Sequence, residues 1–231
     1  MRKKPYNIVD DCVDRQKKRK NHKTALILVT ETASGLKSKK YSFATLSKKI
    51  ERFSKTLNEP KGSRVIVQLP NSLEFIVTFL GAMKAGLIPI PVSPQLTDSE
   101  LGFIINDSGA RIIFSERSHL TLTFQGREDA IGPTVKGGVA AFWLYTSGTT
   151  GTPKAVMHAH TSIPAHDARV TYWMDLKKND ILFNTSALNW SYAITSLLDA
   201  WRHGVTTVVY VGDQCLFQRA KNCPKKFAKN F

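Results

Sequence analysis

The chain has 231 residues, 42% of them hydrophobic, with Gly and Pro near their average share; this suits one large α/β domain or two small ones with a real core and excludes disordered and fibrous classes. A formal charge of +15 attracts phosphate-bearing partners such as nucleotides, CoA, nucleic acid or anionic lipid. No apolar stretch follows the basic start and no run approaches the ~20 apolar residues of a membrane span, so the sequence reads as soluble and cytoplasmic, without a transmembrane segment.

Residues 1–21 form a basic N-terminal segment that includes Gln16-Lys17-Lys18-Arg19-Lys20. This run lacks interleaved aromatics and any nucleic-acid module, so it is read as solvated surface and not as a nucleic-acid site. Ala25–Thr30 is a short β-type run and Tyr41–Phe43 a second one. Over Thr45–Leu57, Leu46, Ile50, Phe53 and Leu57 recur at helical steps, which predicts an amphipathic helix ended by Asn58-Glu59-Pro60-Lys61-Gly62. Arg64–Leu69 alternates as a strand, Ser72–Ala85 is an apolar helix closed by Gly86, and Leu87–Val92 is a buried strand. Thr97 and Glu100 have the spacing of a capping box for a helix ending near Gly109. Arg111–Phe114 is the next strand.

From Ser115 to Gly138 the pattern is lost and a loop is expected. Val139–Tyr145 is a strongly apolar strand, and Ala155–His158 a short one. Thr161–Trp173 reads as a helix with Pro164 in its first turn. Ile181–Asn184 is a strand, Ser191–Trp201 a helix and Val205–Val211 a strand. Strands alternating with helices predict an α/β fold of mostly parallel sheets flanked by helices. Residues 214–231 are basic, lack periodicity and hold Cys215 and Cys223. With Cys12 the cysteine count is odd and no spacing fits a zinc site, which favours a reducing compartment.

The segment with the most chemistry is Tyr145-Thr146-Ser147-Gly148-Thr149-Thr150-Gly151-Thr152-Pro153-Lys154. Two glycines permit positive φ and close approach to a ligand. Successive amides can then converge on an anion as a nest. Hydroxyls from Thr146, Ser147, Thr149, Thr150 and Thr152 add donors, and Lys154 adds positive charge. The run is not the P-loop of kinases and GTPases, which ends in Gly-Lys-Ser/Thr. It reads as a phosphate loop between two apolar strands.

Extended upstream to Phe142-Trp143-Leu144, this string resembles the signature of the adenylate-forming (AMP-binding) superfamily, and specifically its acyl-CoA and aryl-CoA synthetases of the benzoate-CoA ligase kind. Val67-Gln68-Leu69-Pro70-Asn71-Ser72, Phe79–Gly86 and Pro89–Val92 look like the family's first αβ subdomain, and Asn189-Trp190-Ser191-Tyr192 through Gly204 like its acyl-pocket helix. The resemblance covers about residues 22–213. It implies the N-terminal subdomains of an enzyme that joins a carboxylic acid to ATP as acyl-AMP and passes the acyl group to CoA, with ATP, Mg2+ and CoA as cofactors. By resemblance, Thr146, Ser147, Gly148, Thr149, Thr150 and Gly151 contact phosphate and Lys154 supports the loop or its charge. Asn189, Trp190 and Tyr192 line the substrate pocket, plain core packing being the alternative for the two aromatics. His158 and His160 lack a carboxylate or Cys partner and are not assigned to a metal; His166 is a weak pocket candidate. Ala155 departs from the Gly usual in the family.

The family's magnesium-binding acid, adenine-stacking aromatic, ribose-binding Asp and small C-terminal domain with its Lys have no counterpart in the sequence, so no catalytic residue is assigned. The tail at 214–231 does not follow the family pattern either. The expectation is a ligase fragment, catalytically incomplete alone: a truncated or frame-disrupted product, or one half of a split ligase whose complementing C-terminal chain is a partner. The alternative is a non-catalytic protein that binds nucleotide, nucleic acid or membrane through its basic ends.

Overall fold

The β-branched runs build three sheets in the computed structural model, which describes residues 6–19, 22–116, 122–123, 134–135, 138–146 and 152–212. Strands β1 (Thr24–Thr32), β2 (Gly35–Ser42), β10 (Ile181–Asn184) and β11 (Thr206–Val211) form the first, in the order β10-β11-β1-β2. β1 is parallel to β11 and antiparallel to β2, and β10 is parallel to β11. The second sheet holds β3 (Arg64–Gln68), β4 (Ile88–Pro91), β5 (Ile112–Ser115) and β6 (Leu122–Thr123) in the order β4-β3-β5-β6. Its first three strands are parallel and fully or half buried, as crossover helices on a sheet require. The third sheet, β7 (Thr134–Val135), β8 (Gly138–Thr146) and β9 (Lys154–Ala159), is antiparallel, the geometry a short connection dictates. The α/β class expected from the sequence is the class observed.

Helix ends follow local chemistry. Ser42 Oγ accepts from Thr45 N at 3.1 Å and starts α2 (Phe43–Ser54). Ser72 Oγ accepts from Phe75 N at 3.0 Å and starts α3 (Leu73–Ala85), which Gly86 ends in the left-handed conformation at φ 85°. The expected capping box is present on α4 (Asp98–Ser108): Glu100 N donates to Thr97 Oγ1 and Thr97 N donates to Glu100 Oε2. Together such caps each contribute about 1 kcal/mol.

Besides the short strands β6 and β7, which fall within the loop expected at Ser115–Gly138 and are formed by pairing to β5 and β8, three segments differ from expectation. β2 is longer than Tyr41–Phe43: Gly35–Lys40 is an exposed, lysine-rich edge paired to β1, and such an edge carries no hydrophobic alternation. Phe43 opens α2 instead of closing a strand. Residues 161–173 are not one α-helix but short 3₁₀ helices at His160–Ser162 and Pro164–His166 and a π-helical segment at Arg169–Trp173, since Pro164 has no N–H to give a helix interior.

The third difference is at the start of the chain. Residues 8–19 are helical, ending in α1 (Arg15–Arg19), and bury Ile8, Val9, Cys12, Val13 and Gln16. That apolar stripe is masked in the sequence by flanking charge. It is clamped to the last helix, α5 (Ser191–Arg202): Arg202 Nε donates to Asp11 Oδ2 at 2.7 Å, while Arg202 O accepts from Gln16 Nε2 at 2.7 Å and Arg15 Nη2 at 2.8 Å. Cationic donors at a helix C-terminus satisfy orphan carbonyls and oppose the dipole.

The main core joins this N-terminal stretch to α2, α3, α5 and strands β1 and β8. Trp201 lies at its centre with no exposure; its ring meets Phe43 edge-on at 6.3 Å, and Nε1 donates to Thr207 Oγ1 at 2.8 Å and Ala25 O at 3.0 Å. Trp201→Ala is expected to lower unfolding free energy by about 3–5 kcal/mol in urea denaturation. A loss under about 1 kcal/mol would show that this ring is not central to the core.

Candidate functional site

The candidate site is the mouth of the β8–β9 hairpin. Residues 140–144 of β8 are all buried, which explains why the run is apolar without alternation. From Phe142 on its side chains alternate: Phe142 and Leu144 enter the main core with Ala141, while Trp143, like Ala140, enters a second core with Ile66, Ile88, Ile90 and Ile113. A register irregularity between Ala140 and Phe142 adjusts the strand to both. From there the pairing is regular, Phe142 opposite His158, Leu144 opposite Val156, and finally Thr146 opposite Lys154. Burial ends with the last pair: Tyr145 is half-buried, and Thr146 and Lys154 are exposed.

Two contacts fix the mouth against the second sheet's helix. Tyr145 OH donates to Asp107 Oδ2 at 2.6 Å. Burial, reinforced by this bond, pushes the phenol well above its ordinary value and keeps it a neutral donor. Arg64, 5% exposed, donates through Nε to Ser108 O at 2.7 Å and through Nη2 to Gly109 O at 3.2 Å, and its guanidinium lies 6.0 Å from the Trp143 ring centre. Arg64 thus caps the C-terminus of α4 while resting on β8.

Of the residues read as phosphate-binding, the structure brings Thr146 and Lys154 together, with Thr146 Oγ1 3.5 Å from Lys154 O. Ser147, Gly148, Thr149, Thr150 and Gly151 lie outside the described residues. Ala155 is half-buried within β9 and pairs with Tyr145, an ordinary strand position that requires no glycine.

The pocket candidates sit elsewhere. Asn189 is half-buried in the turn before α5; Trp190 and Tyr192 are 66% and 54% exposed at its start, so plain core packing does not account for them. Among the described residues no hydrogen bond ties these three side chains to the hairpin mouth. Their turn is held by two buried amides that sequence reading did not single out as site residues. Asn71 Nδ2 donates to Ser186 O and Tyr210 O, and its Oδ1 accepts from Leu188 N at 2.8 Å. Asn184 Nδ2 donates to Ala193 O at 2.9 Å, and its Oδ1 accepts from Ser186 N. The signal for Asn71 was present in Pro70-Asn71-Ser72, a polar break between strand and helix; nothing marks Asn184 locally.

The histidines are structural here. His158 stacks on Phe142 with ring centres 4.6 Å apart, and His160 Nδ1 accepts from Ile8 N at 3.3 Å. Burial lowers the pKa of both; His166 adds to the shift at His158 and Asp10 opposes it at His160. His166 Nδ1 lies 3.2 Å from the buried Asp199 carboxylate, which also binds Arg169. Among the described residues no group of three or more His, Cys, Asp or Glu is placed to hold a metal ion.

Comparison with known proteins gives three findings. The family model described as AMP-binding enzyme matches residues 13–226, running past both ends of the 22–213 segment that the sequence resemblance covered. The chain is 28% identical over 183 residues to a 3-hydroxybenzoate–CoA ligase of Aromatoleum sp. (strain CIB), covering 66% of this chain and 35% of that protein, and 29% identical over 174 residues to the long-chain-fatty-acid–CoA ligase FadD13 of Mycobacterium tuberculosis. It therefore spans about a third of the length of the curated relatives it matches. In fold it resembles the N-terminal domain of FACL13 from Mycobacterium tuberculosis, with TM-score 0.72 and 21% identity over 98% of this chain and 67% of that one. The NpsA N-terminal subdomain of Klebsiella oxytoca gives TM-score 0.73 at 21% identity, covering 94% of this chain and 57% of the other.

A pH dependence follows from the buried histidines. Their folded-state pKa lies below the ordinary 6.5, so the unfolded chain binds more protons in that window. Stability should be complete well above about pH 6.5 and fall as pH drops through and below that value. His160→Asn, whose Oδ1 can still accept from Ile8 N, should flatten that fall in urea midpoints measured across pH. A midpoint that rises as pH drops through this range would contradict the account.

Proposed function

The chain belongs to the AMP-binding enzyme family, and on that premise we propose that the β8–β9 hairpin holds the phosphates of ATP, as part of an acid-activating acyl- or aryl-CoA ligase. The observation that carries this reading is the hairpin itself. A strand anchored in two cores ends in an exposed Thr146–Lys154 pair, and residues 147–153 close the loop between them.

In this reading the residues of this chain bind and orient; they do not transfer protons. Backbone amides of Ser147–Gly151 and the hydroxyls of Thr146, Ser147, Thr149, Thr150 and Thr152 surround the phosphate oxygens, and Lys154 adds charge at the loop's base. Such bonds to a charged group contribute about 1.5–3 kcal/mol each. Pulling charge toward the outer phosphates makes pyrophosphate a better leaving group when a carboxylate attacks the α-phosphate. Asn189, Trp190 and Tyr192 are proposed to face the carboxylic acid, presented by the turn that Asn71 and Asn184 hold. No described residue is assigned to Mg2+ or CoA. The chain is proposed to bind nucleotide without the complete catalytic set.

Equilibrium dialysis with ATP tests this directly. The wild-type chain should bind ATP, and Lys154→Ala and Thr149→Ala/Thr150→Ala should each weaken binding by about tenfold or more. Unchanged affinity in both variants, or no ATP binding at all, would sink the proposal. Rapid carboxylate-dependent pyrophosphate release by the chain alone would overturn catalytic incompleteness.

A second reading, one part of a split ligase, is favoured by where apolar surface is left open. Val156, Met157, Tyr172, Trp173, Ile181, Trp190 and Tyr192 are all exposed, and all fall between residues 156 and 192. Exposed apolar side chains of this size are ones a partner surface would cover. Co-expression with a polypeptide matching the remainder of a family N-terminal domain and its C-terminal domain should yield a complex with pyrophosphate-releasing activity. Absence of a complex would count against it.

A further inference from the structure

We propose that the outer face of α1 and α2 is a docking surface for the anionic phospholipid surface of a bilayer. α2 turns Phe43, Leu46, Ser47 and Ile50 inward and leaves Lys48, Lys49, Arg52 and Lys55 exposed. Lys48, Arg52 and Lys55 follow at four- and three-residue steps, hence along one side of the helix. α1 is held against this helix: Asp14, at its start, accepts from Ser47 Oγ at 2.6 Å and from Lys84 Nζ at 2.5 Å. The Asp14 charge is thereby spent within the seam, and Lys17 and Lys18 follow one turn on.

Lys48, Lys49, Arg52 and Lys55 thus flank Glu51 on the exposed side of this helix. Lys55 pairs with the Glu51 carboxylate at 2.9 Å; this bond, then the nearby charges of Lys84 and Lys17, holds it below its ordinary value. Among the described residues Lys18, Lys48, Lys49 and Arg52 have no ion-pair partner. Uncompensated like charge on a folded surface costs stability through self-repulsion, which an anionic partner relieves. The strand leading into α2 adds exposed Lys37, Lys39 and Lys40.

The chemistry favours lipid over nucleic acid. The exposed aromatics of the described residues, Tyr172, Trp173, Trp190 and Tyr192, all lie in later segments, so α1 and α2 offer no stacking platform for bases. A bilayer reads density of charge and needs none. No residue of the β8–β9 hairpin takes part, so this inference stands or falls apart from the ligase reading.

Co-sedimentation with vesicles of phosphatidylcholine containing about one-third phosphatidylserine tests it, with pure phosphatidylcholine vesicles and a short DNA duplex as parallel arms. The chain should bind the anionic vesicles and release them at about 0.5 M salt. Lys48→Gln/Lys49→Gln/Arg52→Gln should weaken binding by about 100-fold, roughly fivefold per charge, with an unchanged circular dichroism spectrum and urea midpoint. Lys48→Arg/Lys49→Arg/Arg52→Lys, which keeps the charge, should bind as wild type. Equal binding to neutral vesicles, an unaltered affinity in the neutralised variant, or tighter binding to the duplex than to anionic vesicles would each overturn it.

Discussion

The structure depends on burial of one strand from both sides. β8 places Phe142 and Leu144 in the main core and Ala140 and Trp143 in the second, so it joins the sheet of β1 and the sheet of β3 into one body. Each side chain buried there contributes about 1.5–3 kcal/mol. The constraint is strict, because over Phe142–Leu144 a slip of one residue would turn Trp143 into the main core and Phe142 and Leu144 out of it. It also fixes direction. With the strand locked from Ala140 to Leu144, its end must emerge at Thr146, and the return strand must bring Lys154 beside it.

The electrostatic contacts around this strand serve position. Arg64 and Asp107 meet the last turn of α4 and the base of the hairpin, tying the mouth to a rigid helix. At the other end of the chain, Arg202, Asp11, Gln16 and Arg15 lock the N-terminal helical stretch onto α5. In both places a buried or half-buried arginine satisfies carbonyls that a helix end leaves open, a role its forked donors suit better than a lysine ammonium.

Most of the fold was legible in the sequence because its elements are bounded by local chemistry. Ser72, Gly86, Thr97, Glu100 and Gly109 each act within four residues of themselves, and the strands β3, β8 and β11 are continuous apolar runs. What escaped was set by distant partners. Gly35–Lys40 forms a strand only because β1 lies beside it, and its exposed lysines hide that. Ile8, Val9, Cys12, Val13 and Gln16 are buried only because α5 and α2 receive their narrow stripe. The candidate loop was visible through its residue types and spacing; Asn71 showed only as a polar break at Pro70-Asn71-Ser72, because its bond to Leu188 N spans the chain, and Asn184, which acts on Ala193 O through one amide, leaves no local pattern.

The central claim is that a doubly buried strand presents a phosphate-gripping loop. Hydrogen–deuterium exchange with and without ATP measures this most directly. The account predicts slow exchange over residues 140–144 in both states, and added protection on ATP confined to the segment from Thr146 to Lys154. Fast exchange in β8, or ATP protection that leaves Thr146–Lys154 unchanged, would contradict it.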